Sequence, residues 1–324
     1  SEIIDLDKAD AALRAGTPIH RMLSHLTSYS RAEGIHLEVE MDPQELSYLR
    51  DHAINGIPVL PGVVGIEGFA VASKHIASVL ASGKAGFEVD HLENIQFHVP
   101  LKFYGNKPRT MTWHAIAMRS TGDLQVKVSL ESDVKRHNGN IDHTLHFEGM
   151  VFLAKAPAPA EVVTEPPAWK NTASVEADKI YRLFFHGPSF QVLDAAQLTD
   201  GGVLGKFNKR LIQSTGREPE FPATPLLIEL CFQTAGLWEA GATGILALPQ
   251  SVGSLKLYPR PVNGSTIYAE VKPHEEGEKV SFDARVIDSS GNVFLEMNDY
   301  LTSPLPYPAE KEIIEPLRAL VLGE

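Results

Sequence analysis

Two long apolar helices, one in each half of the 324-residue chain, constrain its fold most strongly. They are predicted over residues 63–80 and 225–241, where the sequence is apolar on nearly every side, as in helices buried within a protein. Each carries a glutamate directly after an isoleucine, Glu67 in the first helix and Glu229 in the second, which indicates a faint internal repeat. Strand-length segments follow both helices, so each half is predicted to be an α+β unit with a buried helix.

The two halves have similar orders of predicted elements. Strands are predicted at 35–41, 92–104, 109–118, 124–132 and 144–153 in the first half, and at 203–211, 252–258, 266–272, 279–288 and 293–300 in the second. Shorter helices are predicted at 7–15 and 309–322, and a hairpin turn at 288–292. The proline-rich residues 155–170 are predicted to be a linker between an N-terminal half, residues 1–154, and a C-terminal half, residues 171–324.

Composition excludes several classes of partner. The net charge of −12 and the sequence pI of about 5.5 argue against nucleic acid, whose binding requires a basic face. A single cysteine rules out an internal disulfide and fits a reducing cytoplasm, the location that we expect. No apolar run has membrane-spanning length and the acidic N-terminus does not resemble a signal peptide, so no membrane partner is expected.

His52 precedes a loop rich in glycine and proline that leads into the first apolar helix. Gly56 and Gly62 allow the backbone to approach a ligand closely, and Pro61 stiffens the loop. The amides from Gly62 onward lie at a helix N-terminus, whose partial positive charge suits a developing oxyanion. A base beside such amides can remove a proton next to a carbonyl, although an isolated histidine in such a loop is more often only a turn residue.

Glu229 and Gln233 interrupt the apolar segment at the start of the second helix, and because they are four residues apart they share one helix face. Burial raises the pKa of a carboxyl and favours the protonated form, which is the form that donates a proton to a leaving hydroxyl. The alternative is a buried glutamate with a structural hydrogen-bonding role. Glu67 is the rival acid, since it occupies the related place on the first helix.

These motifs resemble a known family. The segment from His52 reads His-x3-Gly-x4-Pro-Gly followed by a helix, which resembles the signature of hot-dog dehydratases, and most closely the dehydratase domains of polyketide synthases and polyunsaturated fatty-acid synthases. Residues 185–191, 146–151 and 248–252 resemble the family's Tyr-Gly-Pro-x-Phe, His-x-x-Gly and Leu-Pro-x-Ser-Ile motifs, with His186 in the tyrosine position. Glu229 stands where the polyketide enzymes typically have aspartate, and the resemblance covers about residues 17–305.

The resemblance implies a double hot-dog, α+β fold with two antiparallel sheets, each wrapping a central helix, and one active site formed between the halves. It implies that His52 is the base and Glu229 the acid, which leaves Glu67 with a structural role. The implied substrate-binding and oxyanion residues are Gly56, Pro61, Gly62, Gln233, Gly187, Pro188 and Phe190.

The implied reaction removes water from a 3-hydroxyacyl thioester on an acyl carrier protein to give a 2-enoyl thioester. It implies no metal and no cofactor, because the acyl group is carried on phosphopantetheine. The expected partners are the carrier protein, other synthase domains and a second copy in a homodimer. The alternatives are a non-catalytic module and a cyclase or isomerase that uses the same pair. Lys206, Lys209 and Arg210 form a small basic cluster, either a solvated turn or a dock for the carrier or its phosphate.

Overall fold

A computed structural model describes residues 25–30, 33–80, 87–119, 124–135, 139–155, 162–170, 174–212, 223–258, 260, 264–276 and 279–322. Its contacts group the chain into two units. The first consists of Ser1–Arg50 and Ile54–Ala158, and the second of Asp51–Ala53 and Pro159–Glu324. The short segment that carries His52 therefore belongs, by its contacts, to the second unit. The helix predicted at 7–15 lies outside the described residues.

The first unit contains an antiparallel sheet and a long helix. Its elements are β1 His25–Ser30, β2 Gly34–Met41, α1 Ser47–Arg50, β4 Ile57–Pro58, α2 Gly62–Leu80, β5 Glu88–Phe97, β6 Arg109–Arg119, β7 Leu124–Lys135 and β8 Ile141–Ala154, with β3 Ala53–Ile54 at its boundary. The strands pair in the order β1-β2-β6-β7-β8-β5. Strand β2 illustrates how this sheet covers a core. Its alternate residues Ile35, Leu37, Val39 and Met41 are buried, as in a strand with one face on a core.

Helix α2 packs closely on this sheet because glycines face it. A Cβ atom on Gly65 would lie 2.5 Å from the Phe147 ring, and one on Gly68 would lie 2.3 Å from the Trp113 ring. These distances are shorter than van der Waals contact, so only glycine admits the two aromatic rings at this depth. The prediction of a buried helix at 63–80 followed by antiparallel strands is confirmed.

The second unit repeats this plan. Its elements are β9 Ser174–Glu176, α3 Ala177–Leu183, β10 Leu193–Thr199, β11 Gly202–Phe207, α4 Ala223–Thr243, β12 Ile245–Leu257, β13 Ile267–Glu276, β14 Lys279–Asp288, β15 Val293–Pro308 and α5 Lys311–Leu322. The strands pair in the order β12-β15-β14-β13-β11-β10-β9, and α4 packs against β11, β12 and β13. The predicted second buried helix, the turn at 288–292 and the terminal helix are confirmed, whereas β9, α3 and β10 were not predicted.

Residues 162–170, the described part of the predicted linker, lie against the second unit. Val163 forms an isolated antiparallel bridge with Asn292, and the Thr164 amide donates to the Gly291 carbonyl at 2.9 Å. The Trp169 ring stacks on Tyr268 with 5.7 Å between centroids. These residues are therefore bound along the surface of that unit, while residues 156–161 lie outside the described part of the chain.

Helix α2 corrects one expectation drawn from composition. By length and apolar composition alone its 19 residues could cross a membrane, although the sequence was expected to contain no such run. Most of its residues are buried within the protein, and the core helix of a soluble protein meets the same criteria. It is the single such helix among the described residues.

Candidate functional site

The backbone beside His52 is tied to the turn that contains His186. His52 and His186 form an isolated antiparallel bridge, and the Gly187 amide donates to the Asp51 carbonyl at 2.6 Å. A Cβ atom on Gly187 would lie 2.8 Å from the Asp51 carboxyl, so the close approach requires glycine. Two segments that are distant in sequence are thus held side by side in the second unit.

The Asp51 side chain adds a second connection between these segments. Its Oδ2 atom accepts hydrogen bonds from the Ser189 amide at 3.0 Å and from the Ser189 hydroxyl at 2.5 Å. Residues Pro188–Phe190 form a short 3-10 turn, which brings these two Ser189 donors to the carboxylate. Asp51 and Ser189 are site residues that the sequence analysis missed, because nothing in the sequence pairs positions this far apart.

Aromatic rings surround the His52 imidazole. Its centroid lies 5.1 Å from that of Phe185 and 5.7 Å from that of Phe190, both edge-on, and 5.2 Å from that of His186. His52 and His186 are 9% and 8% exposed, so both imidazoles are largely withdrawn from solvent. The structure therefore brings two histidines together where the sequence analysis assigned a function to one.

Glu229 meets His186 in the interior of the second unit. The Glu229 Oε1 atom lies 3.2 Å from His186 Nε2 and accepts a hydrogen bond from Gln233 Nε2 at 2.8 Å. Helix α4 places Glu229 and Gln233 one turn apart on the same face, as predicted. The carboxyl is 5% exposed, so its charge depends on these neighbours rather than on water.

Gln233 is itself held by a hydrogen-bond network. Its Nε2 atom also donates to the Phe190 carbonyl at 2.8 Å, and its Oε1 atom accepts from the Tyr181 hydroxyl at 2.9 Å. The Tyr181 oxygen in turn accepts from the Leu193 amide at 2.7 Å. Because both amide hydrogens and the carbonyl oxygen of Gln233 are used, the side chain has a fixed orientation.

The expected raised pKa of Glu229 is wrong. Burial raises its pKa, but the hydrogen bond from His186, the charges of His186 and His52, and the hydrogen bond from Gln233 together bring it below the usual glutamate value. The sequence shows only the apolar neighbours on α4, whereas both histidines come from distant segments. When the histidines carry charge, the Glu229 carboxyl is therefore ionised.

Glu67 has the opposite environment in the first unit. Burial raises its pKa to about 7, and Lys74 offsets this only in part. No hydrogen bond to its carboxyl is present within the described residues. Glu67, which has no histidine neighbour among the described residues, therefore remains protonated close to neutral pH, unlike Glu229 at the corresponding position of the second helix.

Gly56, Pro61 and Gly62 belong to the first unit, where local structure explains each of them. Asn55 and Gly56 have φ angles of 51° and 76° and form the turn between β3 and β4. The Pro61 carbonyl accepts the amides of Val64 and Gly65 at 3.1 and 3.2 Å. A Cβ atom on Gly62 would lie 2.9 Å from the Phe97 ring. The expectation that amides from Gly62 onward hold a thioester oxygen stays a prediction.

The remaining candidates have structural environments. Cys231 is buried, and burial raises the pKa of its thiol. Lys206 lies 3.3 Å from the Asp194 carboxylate, and Lys209 donates to the Gly264 carbonyl at 2.8 Å, so both bind within the second unit. Among the described residues, no group of three or more histidine, cysteine or acidic side chains is arranged to hold a metal.

Comparisons with known proteins place these features in context. A family model described as "Polyketide synthase dehydratase domain" matches residues 20–133, and one described as "Polyketide synthase dehydratase N-terminal domain" matches residues 159–312. Together the two matches cover most of both halves. The N-terminal match includes the loop from His52, and the C-terminal match includes His186 and Glu229.

Solved structures of dehydratase domains are similar in fold. The dehydratase domain from the CurF module of curacin polyketide synthase has a TM-score of 0.66 at 17% identity, over 84% of this chain and 94% of that one. A trans-AT polyketide synthase dehydratase domain from Brevibacillus brevis has a TM-score of 0.63 at 19% identity, over 87% of this chain and 97% of that one. An inactive mutant of the CurJ dehydratase has a TM-score of 0.65 at 17% identity, over 92% of this chain and 100% of that one. These likenesses confirm the predicted double hot-dog fold.

Proposed function

Because the chain belongs to the family of polyketide synthase dehydratase domains, we propose that it removes water from a 3-hydroxyacyl thioester to give a 2-enoyl thioester. One observation carries the proposal. In the second unit, the His52 imidazole and the Glu229 carboxyl both lie beside the buried ring of His186. This arrangement supplies a base and a source of acid, which is the equipment that elimination of water requires.

His52 is proposed to remove the proton from the carbon next to the thioester carbonyl. A neutral imidazole is suited to this step because it can accept a proton near neutral pH. The Phe185 and Phe190 rings pack edge-on against it, and it is largely buried. Two of the similar structures are histidine-to-phenylalanine mutants of the CurJ and CurK dehydratases, both described as inactive, which supports an essential histidine in such domains.

Glu229 is proposed to supply the acidity that lets the hydroxyl leave as water. Another similar structure is an aspartate-to-asparagine mutant of the CurK dehydratase, which is also described as inactive. Glu229 occupies the position at which family members typically carry aspartate. Because Glu229 and His186 are in contact, a proton at this site belongs to the pair rather than to either residue alone.

The acyl group is proposed to arrive on the phosphopantetheine arm of an acyl carrier protein. Dehydratase domains of this family act within synthase modules that contain such carriers. The proposed steps are proton transfers between the substrate and this chain's own side chains, and they require no metal or redox cofactor.

A direct assay tests the function. We expect the protein to convert the N-acetylcysteamine thioester of 3-hydroxybutyrate into a product lighter by one water, measured by mass spectrometry. His52→Ala is expected to lower the rate by about 10²- to 10⁴-fold, the usual contribution of a general base. A folded wild-type protein that leaves a panel of 3-hydroxyacyl thioesters unchanged would contradict the proposal, and an active His52→Ala variant would remove His52 from it.

A further inference from the structure

We propose that His186, through its Nδ1 atom, is the group that protonates the leaving hydroxyl, and that Glu229 acts by holding this imidazole in its charged form. The inference rests on the proposed dehydration and identifies the atom that delivers the proton. The sequence-based assignment gave this step directly to the Glu229 carboxyl.

The contact between Glu229 and His186 has the geometry of a carboxylate–imidazole pair. A carboxylate oxygen only accepts hydrogen bonds, so at 3.2 Å from Glu229 Oε1 the His186 Nε2 atom is the donor. Gln233 donates to the same oxygen at 2.8 Å, which also stabilises its negative charge. An ionised carboxylate in this buried position favours a cation beside it. Nε2 is therefore committed to Glu229, and Nδ1 is the ring nitrogen left for chemistry.

The Nδ1 atom of His186 is buried and has no hydrogen-bond partner in the described protein. A buried polar atom without a partner costs about 1–3 kcal/mol, so such atoms are rare unless they serve a purpose. The ring is over nine-tenths buried, and it stacks on Phe185 with 4.4 Å between centroids. The backbone bridge to His52 fixes its place beside the proposed base. A substrate oxygen would give Nδ1 the partner that it lacks.

The proton transfers balance over one turnover. At rest His52 is neutral, His186 carries a proton on each ring nitrogen, and Glu229 is ionised. The C–H bond next to the carbonyl breaks and its proton passes to His52, its electrons form the C=C bond, and the C–O bond breaks as Nδ1 gives its proton to the oxygen. Water leaves. His186 is then neutral with its proton on Nε2, and transfer of the His52 proton to Nδ1 restores the starting state.

The neighbours of Glu229 are consistent with this resting state. Burial raises its pKa, but the hydrogen bond and the charge of His186 and the hydrogen bond from Gln233, all present in the resting state, favour the anion. Tyr181 and Cys231, which lie near this charge, have raised pKa values through burial and through the negative charge of Glu229. Tyr181 and Cys231 therefore stay neutral beside the Glu229 carboxylate.

The test begins with the wild-type protein, and a variant serves only to assign its NMR signals. Nitrogen-15 NMR of histidine-labelled protein, with His186 assigned by comparison with His186→Gln, is expected to show both ring nitrogens of His186 protonated at neutral pH. A neutral ring beside a protonated Glu229 would overturn the proposal.

Kinetics of His186→Phe supply a second readout. This variant keeps a ring but has no proton to give, and we expect kcat on the 3-hydroxybutyryl thioester to fall by about 10²- to 10⁴-fold. Elimination from the matching 3-acetoxy thioester, whose leaving group needs no proton, should stay within a few-fold of wild type. Tyr181→Phe, which removes the hydrogen bonds of the Tyr181 hydroxyl to Gln233 and from the Leu193 amide, is the control and should affect both substrates equally.

The outcomes separate the two proposals. Equal losses on both substrates would show that His186 only supports the structure, and full activity of His186→Phe on the hydroxy substrate would return the acid role to Glu229. Either result leaves the dehydratase proposal intact. A wild-type protein that acts on neither substrate would instead contradict the dehydratase function itself.

Discussion

Two glutamates at corresponding positions of the two buried helices have opposite electrostatic surroundings. Glu229 accepts hydrogen bonds from His186 and Gln233 and has a lowered pKa, whereas burial raises the pKa of Glu67 to about 7. The difference arises from the side chains that each carboxyl faces and not from the helices, which are apolar in both units. At mildly acidic pH, Glu229 in the second unit is therefore an anion, whereas Glu67 at the same position of the repeat in the first unit is largely protonated.

The raised pKa of Glu67 predicts a pH dependence of stability. The folded chain binds more protons than the unfolded chain between the ordinary value of 4.5 and about 7, so the free energy of unfolding falls as the pH rises through that window. Glu67→Gln is neutral throughout. We expect it to be more stable than the wild type at pH 8, by up to about 3 kcal/mol.

Urea unfolding at pH 5 and pH 8 measures this effect. The exposed Glu38 of β2 provides the matched control, because Glu38→Gln makes the same change of charge at the surface. Wild-type stability that does not decline between the two pH values, or an equal gain for both variants at pH 8, would contradict the burial of Glu67 as the cause.

At this scale the sequence predicted His52, Glu229 and Gln233 as site residues because each lies in a recognisable local pattern. It did not assign roles to Asp51 or Ser189, since their hydrogen bonds join positions that are 138 residues apart in the chain. It also gave the wrong direction for the Glu229 pKa. A pKa depends on spatial neighbours, and only the helix neighbours are adjacent in sequence.

At the scale of elements, the packing of α2 on its sheet depends on the glycines of the helix. Gly68→Ala would place a methyl group 2.3 Å from the buried Trp113 ring, and we expect a loss of about 1–3 kcal/mol in the free energy of unfolding. Gly236→Ala in α4 is the control. Its new methyl would lie 3.4 Å from Phe184, an ordinary contact, so higher helix propensity should leave stability unchanged or raise it by up to about 1 kcal/mol. An equal change in the free energy of unfolding for Gly68→Ala and Gly236→Ala, measured by chemical unfolding, would contradict this packing of α2.

The connection between the His52 segment and the 188–190 turn predicts an effect on catalysis. Asp51→Ala removes the acceptor of two hydrogen bonds and leaves the two histidine-bearing segments joined only by their backbone contacts, so they can shift. Because small displacements of reacting groups can cost about 10²-fold in rate, we expect a large fall in kcat with little change in KM. Ser189→Ala keeps the hydrogen bond from the residue 189 amide to Asp51 and should show a smaller loss of kcat. An unchanged kcat for Asp51→Ala would show that this connection does not position the base.

At the scale of the whole molecule, the predicted order of helices and strands is confirmed in both units. Periodicity located α2 and α4 because buried helices have a strong local signal. It missed the short elements β1, α1, β3, β4, β9, α3 and β10, which are 2 to 7 residues long and have too few positions to establish a period. Residues 162–170 were predicted from their prolines as a linker, whereas backbone hydrogen bonds to 291–293 hold them along the second unit.

The central claim is that dehydration depends on the glutamate that contacts His186 and not on its counterpart in the first unit. The most direct measurement is kcat/KM for loss of water from the 3-hydroxybutyryl thioester by Glu229→Gln and by Glu67→Gln. We expect Glu229→Gln to fall by about 10²-fold or more, because a neutral amide cannot hold His186 in its charged form. Glu67→Gln should stay close to wild type. An inactive Glu67→Gln together with an active Glu229→Gln would contradict the claim.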